Sequence, residues 1–147
     1  MDLPSTKERV PVHTAKWVNH RIKRGMQKRV AEAAVRPETI YDRLQQLDRE
    51  WDIERAIEAN AAALAFMGTA LGYLIHPYWL ALPALVTAFL FQHAIQGWCP
   101  PVPVLRRLGF RTAYEIEQER HALKALRGDY RDIVASSGAA ALRVAEV

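Results

Sequence analysis

The sequence predicts an all-α membrane protein: a two-helix transmembrane hairpin flanked by amphipathic cytoplasmic helices. Three observations predict it. No Asp, Glu, Lys or Arg occurs across residues 59–105, a run of 47 positions in a chain of 147. That window divides at His76-Pro77 into two runs of about 20 residues, and each can cross a hydrocarbon core of roughly 30 Å at about 1.5 Å per residue. All 20 basic residues lie outside the window, 12 before it and 8 after. The mean hydropathy of -0.13 hides this segregation, because charged flanks and an apolar centre cancel. A soluble chain this short could hardly enclose so long an uncharged hairpin.

Residues 1–52 form a basic, amphipathic segment. Its start has no apolar run of the kind that marks a secretory signal peptide. Over residues 15–35, Val18, Ile22, Met26, Val30 and Ala33 share one arc of a helical wheel. Lys16, Arg21, Arg24 and Lys28 fall roughly opposite, while Trp17 and Arg29 break the division. This helix suits an anionic leaflet, and it also suits packing against neighbouring helices. Its charge would suit nucleic acid, but no recognition motif is present and no nucleic-acid partner is expected. A second helix opens at Pro37, with Ile40, Leu44, Leu47 and Trp51 as an apolar stripe. Asp52 is an N-cap candidate for a further helix, which Glu54 and Glu58 favour electrostatically. A bend is expected there.

Residues 53–100 are the hairpin, with spans at about 57–75 and 78–98. Pro77 suits the first position of a new helix, where its missing N–H costs nothing. Tyr73, Tyr78 and Trp79 at the turn and Trp98 at the far end match interfacial aromatic belts. The turn has no Lys or Arg and both flanks have several, so both termini are expected in the cytoplasm. Gly68 and Gly72 make a GxxxG step for helix packing. Self-association through it is expected; the other use of such a groove is to receive the second span of the same chain. Gln92 and His93 are the polar intramembrane candidates. Packing is the ordinary reading of His93, and proton or haem ligation the functional one.

Residues 101–147 are read as a turn, a capped helix and a loose tail. Pro100, Pro101 and Pro103 predict an extended exit from the bilayer. Arg106 and Arg107 would then meet headgroups. Cys99 is the sole cysteine. It is either a small packing residue or a thiol activated by those arginines. Thr112-x-x-Glu115 is a capping box, predicting a helix over residues 113–127 with apolar Ile116, Leu123, Leu126 and Tyr130. Gly128 is its left-handed stop, and the Arg127-Gly128-Asp129 step reads as a helix end with a charge pair.

The chain resembles the YgaP-like transmembrane domain, a family of short bacterial inner-membrane hairpins of unknown function. The likeness rests on Glu54-Arg55, Gly68, Gly72, Gly97-Trp98-Cys99-Pro100 and Gly109, within residues 52–109. It implies a multi-pass protein of the bacterial inner membrane. Some members are fused to a rhodanese sulfurtransferase domain, which this chain lacks. Pro101, Pro103 and the long basic flanks also depart from the family pattern.

The chemistry-bearing patterns are sparse. There is no Ser/His/Asp set, no glycine loop for phosphate and no zinc spacing, so no catalytic residue, metal or cofactor is assigned and no enzyme is expected. The expected function is a membrane-embedded adaptor or homo-oligomeric scaffold that binds the bilayer and an unidentified protein partner. The alternative is a thiol-bearing accessory of sulfur or redox chemistry using Cys99.

Overall fold

A computed structural model describes residues 4–131. Among these residues the regular structure is all helical, without a strand. In chain order the helices are α1 (Arg9–Val12), α2 (Lys16–Val35), α3 (Ile40–Arg49), α4 (Ile53–Leu74), α5 (Ala81–Gln96), α6 (Val102–Leu108) and α7 (Ala113–Arg127). Single turns of 3-10 helix precede α3 and α5. The loose tail expected at the C-terminus lies outside the described residues. The chain divides into two units, one of residues 4–22 and 51–114, the other of residues 23–50 and 115–131.

The first unit is built on the α4–α5 hairpin. Asp52 caps α4: its Oδ1 accepts the Arg55 N–H at 2.6 Å, satisfying a donor that helix geometry leaves unpaired. α4 ends as the Leu71 carbonyl accepts both the Ile75 and the His76 N–H groups. The His76 ring then accepts the Tyr78 N–H, and Pro77 opens the turn that becomes α5. Two helices are long and apolar enough to cross a membrane, one ending at Leu74 and the other Pro77–Gln96, and only 17% and 6% of their apolar windows is buried. Phe66, Leu74, Leu85 and Phe91 point outward.

The helices of the hairpin touch through glycine. A Cβ on Gly68 would lie 2.6 Å from Cδ of Pro83, and one on Gly72 would lie 2.6 Å from Cδ2 of Leu80. Between helices in lipid, such close approach replaces the missing hydrophobic drive. Within one chain, the residues opening the second apolar helix fill this face, the other use expected of it.

α6 corrects an expectation. The prolines do not give an extended exit; they begin a helix. Pro101 stands at the N-cap position of α6 and Pro103 lies in its first turn, where an absent N–H leaves nothing unsatisfied. Val102, fully buried, draws the helix back onto the hairpin, in a cluster with Val10, Ile53, Ile57 and Cys99. The Ile53 N–H donates to the Arg111 carbonyl at 2.8 Å, fixing the chain beyond α6 to the start of α4.

The second unit has its own core of Ala33, Ile40, Leu44, Leu47, Ile116 and Leu123. Three residues of the α3 stripe are buried in it, while Trp51 lies beyond the helix and is exposed. Leu126, expected on the apolar side of α7, is also exposed. Glu119 shares a face with Ile116 and Leu123 and is fully buried. Arg29 grips it bidentately at 2.9 and 2.8 Å, and Arg43 adds a bond at 2.8 Å. This clamp explains why Arg29 breaks the basic face of its helix. α7 stops at Gly128, φ 94°, with the Asp129 N–H returning to the Lys124 carbonyl. Arg127 holds Asp129 at 2.8 Å and keeps its carboxyl below the usual range.

Candidate functional site

Polar side chains of the first unit gather where α4 and α5 come together beside α1. α1 is one turn long, too short to show a periodic signal in sequence. Its anchors are one apolar and one charged residue. Val10 is 1% exposed in the cluster with Cys99. Arg9 reaches across the hairpin: its Nη1 donates to the Ala94 carbonyl of α5 at 3.0 Å, and its Nη2 lies 4.0 Å from Oε1 of Glu54 on α4. Gly97 permits this. Its φ of 77° ends α5 in the left-handed region, and a Cβ there would sit 2.4 Å from the backbone C and O of Arg9. No residue with a side chain satisfies both demands.

His93 is buried in this junction, whereas Gln92 is half-buried. Both ring nitrogens of His93, Nε of Arg9 and Oε2 of Glu54 are buried without a hydrogen bond to protein. Polar atoms so placed are uncommon in folded proteins, and the three residues come from three separate helices. The sequence marked His93 as polar within a span. It did not show that Arg9, more than 80 positions earlier, would lie beside it.

Cys99 sits three residues beyond α5 and is 2% exposed. Burial pushes its thiol up, an effect partly offset by the Val102 backbone N–H. Reactive thiols need the opposite shift and access. The expected activation by Arg106 is corrected, and so is that residue's place at the membrane surface. Arg106 is fully buried, with Nη1 on the Phe110 carbonyl at 3.1 Å and Nη2 on Oδ1 of Asn19 at 2.9 Å. It binds the end of α6 to α2. Arg107 is exposed.

The remaining basic candidates, Lys16, Arg21, Arg24 and Lys28, are exposed along α2, while Val18, Ile22 and Ala33 of the opposite arc are buried. Arg21 lies 5.3 Å from the Trp17 ring centroid and donates to the Arg107 carbonyl at 2.6 Å. Two more cations cover aromatic rings in this unit, Arg55 over Trp51 at 4.5 Å and Lys7 over Tyr114 at 4.8 Å. Cation–π pairs of this kind keep a ring and a charge together at a wet boundary.

No family model, curated protein or solved structure matches this chain.

Proposed function

We propose that this protein is a small integral protein of the bacterial inner membrane, similar to the YgaP-like hairpins, that acts as an adaptor. Its hairpin anchors it in the bilayer, both termini lie in the cytoplasm, and the second unit receives a protein partner. The observation that carries this reading is the outward-facing apolar surface of α4 and α5. Exposed apolar surface of that extent marks contact with lipid or protein. The charged second unit, with a core of its own, supplies a folded module. The scaffold form of the reading adds a second copy of the chain. With the Gly68 and Gly72 face occupied, such a contact would use the lipid-facing sides of the hairpin.

Two arms test the proposal. A topology reporter fused at residue 77 should report the non-cytoplasmic side, and one at residue 5 the cytoplasm. A cytoplasmic signal at residue 77 overturns the hairpin. A photo-crosslinker at Gln45, exposed on α3, should capture one discrete protein from native membranes, and Cys99→Ser should leave that capture intact. Loss of capture in Cys99→Ser would favour the thiol accessory instead.

A further inference from the structure

We propose that the first unit binds one anionic phospholipid of the inner leaflet, its acyl chain in a groove between α4, α5 and α6 and its phosphate on Arg21 and Arg107. This rests on the reading that α4 and α5 lie in a bilayer. The groove has a volume of about 420 Å³ and is lined almost wholly by carbon, from Ile57, Ala61 and Leu64 on α4, Phe89 and Leu90 on α5, and Val104 on α6. An acyl chain offers the matching chemistry.

Charge selects the lipid. α6 leads away from the groove: Val104 lines it, and Arg107 follows one helical turn later. The chain three residues beyond α6 is tied to Ile53, the first residue of α4, by the Arg111 carbonyl. The groove begins at Ile57, one turn deeper along the same helix. Arg107 therefore stands between the groove and the charged flank, at headgroup depth. Arg21 joins it through the 2.6 Å bond to the Arg107 carbonyl, and Trp17 lies under the Arg21 guanidinium. Neither arginine has an acidic partner among the described residues, whereas Arg29, Arg43 and Arg120 all do. A phosphate diester completes the pair.

A basic residue at an anionic surface is worth about 1 kcal/mol, close to fivefold in affinity, so two give on the order of 25-fold. The test is native mass spectrometry on the full chain in mild detergent, titrated with phosphatidylglycerol or phosphatidylcholine of identical acyl chains. Phosphatidylglycerol should bind at least tenfold tighter, at one lipid per chain, within the estimate of about 25-fold. Arg21→Gln with Arg107→Gln should bring it to the phosphatidylcholine level. Ala61→Phe should weaken both lipids by filling the groove. Val104→Trp, at an exposed rim position, does the same should the first variant lose its helical circular dichroism. Equal affinity for the two lipids, or an unchanged preference in the arginine variant, overturns the site. So does displacement of the lipid by excess inorganic phosphate, which would mean that the arginines bind phosphate without the groove. A chain that stays soluble without detergent overturns the membrane reading instead.

Discussion

Gly97→Ala tests the junction at the mouth of the hairpin. Alanine at a φ of 77° costs about 1–2 kcal/mol. Its Cβ would also lie 2.4 Å from the Arg9 backbone, which cannot yield as a flexible side chain can, so α1 must leave. Its departure forfeits the burial of Val10, about 1.5–3 kcal/mol, and the Arg9–Ala94 hydrogen bond, about 1 kcal/mol. These two contributions, about 2.5–4 kcal/mol together, are what holds α1 closed in the wild type and what the clash removes. Val10 covers the cluster that holds Cys99, so the only cysteine reports the opening. Maleimide labelling of Cys99 should accelerate on the order of a hundredfold, the population change that about 3 kcal/mol produces. Gly109→Ala is the matched control. Gly109 has a φ of 102° with no atom within 4 Å of its would-be Cβ. It should lower thermal stability by about 1–2 kcal/mol without speeding the labelling. Wild-type labelling in Gly97→Ala would refute the clash, and equal acceleration in both variants would show that backbone strain alone is responsible.

Gly68→Ile or Gly72→Ile should separate α4 from α5, because each side chain would begin 2.6 Å from Pro83 or Leu80. Spin labels on the two helices should report a wider distance, and an unchanged distance would contradict the contact. Glu119→Ala should destabilise the second unit by about 3 kcal/mol, at the low end for a broken buried ion pair because Arg29 and Arg43 are partly exposed. Thermal denaturation followed by circular dichroism measures it, and a loss under about 1 kcal/mol would mean that the clamp is solvated.

What the sequence made legible was local. Asp52 capped the helix it was expected to cap, and α7 ran over residues 113–127 to a left-handed Gly128, because caps and stops act over four or five residues. The uncharged window likewise gave two apolar helices. The prolines after Cys99 carried two meanings, since the same residue ends one helix and can begin another. Only the burial of Val102 decides between them. Glu119 lies in a polar stretch that looks solvent-facing in sequence, and its burial depends on two arginines more than 70 positions away. The pattern left one trace of it, the misplaced Arg29. Arg106 was misplaced for the same reason: its partner Asn19 lies 87 residues earlier. α1 left no trace, since one turn cannot show a period.

The position of α1 bears on how the chain is made. Arg9 is synthesised before either apolar helix, yet the carbonyl that receives it belongs to Ala94 and the backbone it packs against to Gly97. α1 must therefore wait, unattached, until α4 and α5 have both been made. Its docking becomes possible only once α5 is complete, so a seated α1 records that the hairpin has closed.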